Sequence, residues 1–448
     1  MAATGEAVIG TPSRRVVDVE LVYLVIDNCL ADSAPAGETR EPTEGQQLSA
    51  PVDSALHSGR HLEYLSSIAA YREDFRRYLR DLKTADEWRA AAFTSAEDGL
   101  AHDATVMASL NADGWNRYGW PEAAGGLGGN EIHRAVYYEE LGHAMLPIPA
   151  QHWTLETLGP ALLKFAPGLA AAYLPGYLSG VEWWGQSFSE PESGSDLASL
   201  RTRAVDDGAG GFVVNGQKIW TSQGPTATRL LALVRTGTPE SRHRGLTMIM
   251  VDADAPGVTI RPIALASGRR ELAEVFFDDV RVDGERVVGD VGGGWAVAMH
   301  LMQYERGMYG YAVLNKVLTE LGRLREHMVT AGATDAQRQR FARVYVDVAA
   351  AQARTATTVR RLAAGEAVGA DSSIDKLLFG RAEKEVNDLI LEIEREHLIA
   401  GTGRGGAELD TARAEWWYSR AATVMGGTAE VQRGIIADHL LGLPKEKR

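Results

Sequence analysis

Four short segments carry the side chains best suited to chemistry. The first, at 186–203, reads QSFSEPESGSDLASLRTR and holds Gln186, Phe188, Ser189, Gly194 and Ser195. The second, VNGQKIWTSQG at 214–224, holds Trp220 and Ser222. Serine hydroxyls both donate and accept hydrogen bonds, and an indole offers a flat apolar wall. Gly194 and Ser195 make a tight turn whose backbone a ligand can approach closely. The third, MQYERG at 302–307, holds Glu305 and Arg306. A carboxylate there can act as a general base if it lies beside a weakly acidic C–H, or it can form an ion pair with a nearby cation. The fourth, MGGTAEVQR at 425–433, holds Gly426, Gly427, Thr428 and Glu430. Other chemistries find little support. His300, His327, His397 and His439 lack paired ligand spacing, and neither a GxSxG nor a P-loop pattern occurs. The single cysteine, Cys29, excludes an intrachain disulfide and a cysteine zinc site.

These segments sit in a chain of 448 residues, too long for one small module. A net charge of −14 argues against a general nucleic-acid binder. No run approaches the ~20 apolar residues of a membrane span. The best candidate for a targeting signal, 16–30, is broken by Asp18, Glu20 and Asp27. The expected location is cytoplasmic, with neither membrane nor nucleic acid as partner.

The elements that position the segments change character along the chain. Residues 1–57 form an N-terminal extension, expected to be partly disordered, with a polar, proline-bearing linker at 39–51. From 58 to 182 the pattern is helical, with Tyr71, Phe75, Tyr78 and Leu82 on one face. Residues 183–285 switch to short β runs, at 230–234, 246–251, 258–263 and 275–282, with Asn215-Gly216 as a hairpin turn. From 286 to 448 the chain is helical again, in long segments at 295–321, 335–365, 372–401 and 411–441, enough for a four-helix bundle. The expected class is α+β: a helical domain, a small central β-barrel or sandwich, and a helical bundle. The crevice where the three meet is where a ligand would bind. Trp416-Trp417-Tyr418 reads as core or subunit packing rather than a cofactor box, and GTGRGG at 401–406 as a loop, because a helical run precedes it.

The four segments, with VFFDDVRV at 275–282 and GGGWAVAM at 292–299, resemble in this order the acyl-CoA dehydrogenase family. The likeness covers the chain from about residue 60 onward. It implies FAD at the crevice and α,β-dehydrogenation of an acyl thioester. It places Gln186, Phe188, Ser189, Trp220 and Ser222 along the isoalloxazine. Gly427, Thr428 and Glu430 fall toward the rest of the cofactor, and Gly194, Ser195 and Arg306 toward the substrate. The backbone N–H of Gly426 would polarise the thioester oxygen. Many members carry the catalytic glutamate immediately before the Gly-Thr pair, where this chain has Gly426. A second branch takes it from the first helix of the C-terminal bundle, where the matching residue is Glu305. An Arg-x-x-Phe-Gly run found in many homotetramers is missing after this helix. The resemblance also implies a homo- or hetero-oligomer and an acceptor such as an electron-transfer flavoprotein. Two other activities stay open: a partner subunit with an incomplete FAD site, and a dehydrogenase or oxidase acting on a carrier-protein thioester.

Overall fold

A computed structural model describes residues 53–91, 96–395 and 406–444. The expectations for residues 1–52 and 396–405, His397 and the end of the 372–401 segment included, lie outside the described residues. From Ser66 onward the described residues form one compact unit.

The N-terminal helical part comprises α1 (Asp53–Asp81), α2 (Ala85–Ala90), α3 (Ala96–Ala112), α4 (Glu131–His143), α5 (Gln151–Phe165) and α6 (Pro167–Leu178). The apolar face read from the sequence holds α1 in place. Phe75 is fully buried and stacks on Tyr137 at 5.3 Å, and Tyr71 reaches the Trp115 carbonyl at 3.0 Å. Beside this aromatic cluster, Glu140 of α4 is enclosed by Arg72, Arg76 and His143. Burial pushes its carboxyl up, but the His143 and Arg76 hydrogen bonds and the Arg72 charge outweigh that and hold it down to about 2. Its folded pKa is thus below the unfolded value. The stabilisation is therefore complete well above the unfolded pKa of about 4.3 and fades as pH falls toward 2. Glu140→Gln should cost about 1–3 kcal/mol at neutral pH, since it removes the buried carboxylate shared by Arg72, Arg76 and His143. Urea unfolding should show the gap to wild type closing between pH 5 and pH 2; a gap independent of pH would contradict this assignment.

The central part is a single antiparallel-dominated sheet of β1 (Trp184–Ser187), β2 (Arg203–Asp206), β3 (Gly211–Ser222), β4 (Arg229–Arg235), β5 (Leu246–Asp252), β6 (Val258–Pro262), β7 (Leu272–Asp283) and β8 (Val287–Val288). Its path runs β6-β7-β3-β1-β4-β5-β8, with β2 bridging β3 and β4. The expected strands are present, but Asn215-Gly216 is no hairpin turn. β3 runs straight through it with a bulge between Val214 and Gly216, and the β2–β3 connection is made five to seven residues earlier, around Gly208 and Gly210. Gly216 takes φ +147, and a Cβ there would stand 2.6 Å from Thr202 Oγ1. The Asn215 side chain instead ties the bulge to Asp279 of β7.

The C-terminal part holds α7 (Gly294–Tyr304), a π-helical turn (Glu305–Tyr309), α8 (Gly310–Ala331), α9 (Asp335–Ala363), α10 (Ser372–Ile393), α11 (Gly406–Ser419) and α12 (Ala429–His439). α8, α9 and α10 pack mutually, and α10 also packs on α11 and α12. The segment expected as one helix over 411–441 is two. It breaks after a short 3₁₀ turn (Arg420–Thr423), because Gly426 and Gly427 both take left-handed φ, +65 and +91. One apolar core joins the three parts, with Leu158 and Leu162 from α5, Trp184, Leu231 and Met248 from the sheet and Leu301 from α7. It fixes the walls of the crevice relative to one another. Among the described residues no helix is long and apolar enough to cross a membrane.

Candidate active site

The sheet brings the first two segments together by register. Gln186 of β1 pairs with Ser222 of β3, Ser187 Oγ lies 3.0 Å from Thr221 Oγ1, and the Ile219 N–H donates to the Ser189 carbonyl at 2.9 Å. A buried ion pair locks the following turn. Lys218 Nζ donates to Glu190 Oε1 at 2.9 Å and to the Phe188 carbonyl at 3.0 Å. Glu190 in turn accepts from the backbone N–H groups of Arg201 and Thr202. Burial pulls the Lys218 ammonium down to about 8, against the pull of Glu190. The SEPES turn is therefore rigid because its first glutamate is structural.

A second bulge, between Lys218 and Thr221, turns Trp220 out of the sheet. Trp220 takes a left-handed φ of +59 and remains 52% exposed. A bulky residue in that conformation is strained, and here the strain presents a flat indole face to the crevice.

The crevice is one continuous cavity of about 3190 Å³. Gln186, Phe188, Ser189, Gly194, Ser195, Trp220, Ser222, Glu305, Arg306, Gly426, Gly427 and Thr428 all line it. Glu430 does not. It is exposed on α12 and pairs with Arg433 at 3.4 Å. Gly194 meets open space, so nothing in the protein itself requires a glycine there. Trp417 and Tyr418 also line the cavity, while Trp416 is held at the α10 interface by Asp388 and Arg420. The aromatic triplet thus divides between packing and the cavity wall.

Glu305 stands at the centre of this constellation. The π turn interrupts the helix there, a feature that recurs at functional sites. Gln186 Nε2 lies 3.4 Å from Glu305 Oε2. On the opposite side, a Cβ built on Gly426 would overlap Glu305 Oε1. A glutamate on the loop and a glutamate on the π turn cannot share this space, which is the physical reason for glycine at 426. Next to it, Arg306 is buried and reaches Ser373 Oγ at 3.5 Å and Met302 Sδ at 3.7 Å. Burial lowers the Arg306 pKa, and the Glu305 carboxylate opposes that shift.

Several residues of this site carried no signal in the sequence. Gln432 Nε2 donates to the Gly426 and Gly427 carbonyls at 3.4 and 3.3 Å, and Thr428 caps α12 by accepting from the Val431 N–H. Glu415 of α11 bridges Arg269 and Lys316 on the cavity wall. Burial pushes its carboxyl up, but those two cations outweigh it and hold it at about 2. Lys376 of α10 is buried against the loop. The Glu415 and Lys376 pairings join residues far apart in the chain, so no local pattern announces them.

Comparison with known proteins gives a consistent answer. Sequence models of the acyl-CoA dehydrogenase N-terminal, middle and C-terminal domains match residues 68–181, 185–280 and 292–441. The acyl-CoA dehydrogenase IpdE1 of Mycobacterium tuberculosis is 34% identical over 390 residues, covering 82% of this chain and all of that protein. Among solved structures, a variant of the Tcur3481-Tcur3483 steroid ACAD superposes with a TM-score of 0.73 at 28% identity, covering 85% of this chain and 100% of that one. The ChsE4-ChsE5 complex from Mycobacterium tuberculosis gives 0.68 at 25% identity, with 85% and 98% covered. The helical, β and helical parts, the cavity they enclose and these matches together show that the chain is an enzyme of the acyl-CoA dehydrogenase family.

Proposed function

We propose that the chain catalyses FAD-dependent α,β-dehydrogenation of an acyl-CoA thioester with Glu305 as the base. The observation that carries this reading is the convergence of Glu305, Gln186 and Gly426 at one point of the cavity. The fit for a flavin rests on the exposed Trp220 indole and on the neighbouring polar edge of Gln186 and Ser222. Gln186, Phe188, Ser189, Trp220 and Ser222 would hold the ring system, and Gly427 and Thr428 the part beyond it. A bound flavin supplies the acceptor for the hydride that leaves the β carbon.

The residues of the chain do the remainder. The Gly426 N–H donates to the thioester oxygen, so negative charge developing there meets a donor already in place. Glu305 accepts the α proton. The α12 clamp, through Gln432, holds the loop that presents the amide. Arg306 stands beside the base on the cavity wall and would contact the substrate. Gly194 and Ser195 line the mouth, where the pantetheine arm would pass. Assembly with a different subunit is the expected state, supported by the two-component neighbours ChsE4-ChsE5 and Tcur3481-Tcur3483.

The test is to purify the chain alone and with a co-expressed homologue. The preparation should carry a flavin spectrum that bleaches anaerobically with acyl-CoA thioesters, ring-bearing ones included. A colourless chain in both preparations would overturn the reading. Within it, Trp220→Ala should raise the flavin dissociation constant about tenfold or more, in line with the roughly 1–3 kcal/mol of an aromatic stacking contact. Flavin retained on dialysis as in wild type would remove Trp220 from the site.

A further inference from the structure

Asp103 stands on α3 in the wall of the cavity. Its Oδ2 accepts the backbone N–H of Ala150 at 2.8 Å, at the entry to α5. The other carboxyl oxygen has no partner among the described residues. Ala150 links this point to the reacting end of the cavity. Its carbonyl accepts the Trp153 N–H, the Trp153 indole meets the Tyr309 ring edge-on at 5.3 Å, and Tyr309 lies one turn beyond Glu305. The elements along this route give the wall an apolar lining of Leu146, Ile148, Trp153, Val313 and Val317. The threonine hydroxyls of α5 that share the wall are turned to the protein. Thr154 bonds with the Tyr177 hydroxyl, and Thr157 donates to the Thr154 carbonyl at 3.0 Å.

The loop between α4 and Ala150 is braced. Arg89 donates to the Ala144 carbonyl at 3.0 Å and Arg323 to the Met145 carbonyl at 2.9 Å. The place of Asp103 is thus set by the fold itself. Other carboxylates of the wall have cations: Glu415 has Arg269 and Lys316, and Glu320 has Arg323. Asp103 has none among the described residues. Burial pushes its carboxyl up to about 6, against the pull of the Ala150 N–H.

We propose that Asp103 is a specificity-determining residue, whose open oxygen accepts a hydrogen bond from a hydroxyl at the end of the acyl group remote from the thioester. The substrate class is then an acyl thioester with an apolar body and a hydroxylated far end. The proposal deepens the dehydrogenase reading above and rests on it. A carboxyl withdrawn from water gains when a ligand brings it a donor. A hydroxyl fits better than an ammonium group. A full cation would leave water for a single carboxylate, whereas a hydroxyl gives up little and its carbon skeleton gains the apolar lining.

The experiment uses FAD-loaded wild type, Asp103→Leu and Asp103→Asn at pH 8, where the Asp103 carboxyl is ionised. The probes are decanoyl-CoA with its ω-hydroxy counterpart, and cyclohexylpropanoyl-CoA with the ring plain, hydroxylated or oxo-substituted opposite its attachment. Calorimetry gives each dissociation constant, and anaerobic bleaching gives the second-order rate constant. In at least one series wild type should favour the hydroxylated probe over the plain one by about 10- to 100-fold in both readouts. Asp103→Leu should bring that ratio to one or below while the plain probe reacts as in wild type. In Asp103→Asn the amide oxygen takes the Ala150 N–H and the amide N–H₂ faces the cavity, so the oxo probe should overtake the hydroxylated one. A carboxyl that only holds the loop would change all probes alike and leave the ratios in place. Ratios unchanged in both variants, or no preference by wild type in either series, overturn the role of Asp103 and leave the dehydrogenase reading standing. Should Asp103→Leu not fold, Asp103→Asn decides: an inverted hydroxyl-to-oxo preference supports the role, and an unchanged one overturns it. A wild type that binds FAD but bleaches with no acyl thioester overturns both.

Discussion

Glu305→Gln should abolish flavin bleaching by acyl-CoA, by about 10³-fold or more, while FAD remains bound. The change is nearly isosteric, and the amide can still face Gln186 across the gap that the carboxylate spans at 3.4 Å. What it loses is the capacity to accept a proton, for which general-base replacement typically costs 10²–10⁴ in rate. Glu305 lines the cavity, whereas its neighbours Tyr304 and Met308 are buried in packing and carry no basic group. Stopped-flow bleaching, with flavin content checked on the same sample, measures the effect. Undiminished bleaching would put the base elsewhere.

Gly426→Ala should be almost as damaging, with the bleaching rate down about 100-fold. The added methyl would fall on Glu305 Oε1, with Lys376 Cε closing the other side. Either the carboxylate or the loop must move, and a displacement of about 1 Å at a reacting group is enough for a loss of that size. The left-handed φ of +65 adds about 1 kcal/mol of backbone strain for any L-residue. The geometry also predicts a rescue. Glu305→Gly combined with Gly426→Glu vacates the first position and supplies a carboxylate from the second. It should recover at least tenfold over Glu305→Gly alone. Failure to exceed Glu305→Gly would show that the two positions do not address the same point.

The parts of this enzyme that were legible in the sequence are those encoded locally. The helix–sheet–helix order follows from a change in hydrophobic period. Gln186, Phe188, Ser189, Trp220, Ser222 and the Gly426–Thr428 turn face the cavity because each segment is short and its spacing is fixed by strand or turn. Asn215-Gly216 misled because a dipeptide suited to a tight turn also suits a bulge, and only the pairing with β7 decides between them. The 411–441 stretch misled in the opposite way. Its helical composition concealed a break that two left-handed glycines impose. Glu430 was expected toward the cofactor but faces outward with Arg433. Lys218–Glu190, Arg269–Glu415–Lys316 and Lys376–Ala422 could not be read at all, since each joins residues 28 or more positions apart. Burial and charge pairing of this kind are properties of the folded chain.

If Glu305 is the base, the proton on the carbon beside the thioester carbonyl should exchange with solvent, a reaction followed by mass spectrometry in D₂O on a bound thioester that can lose its α proton but has no β hydrogen to transfer. FAD-loaded wild type should incorporate deuterium at the α carbon, and Glu305→Gln should incorporate none above the uncatalysed rate. Exchange in Glu305→Gln at the wild-type rate would contradict the account.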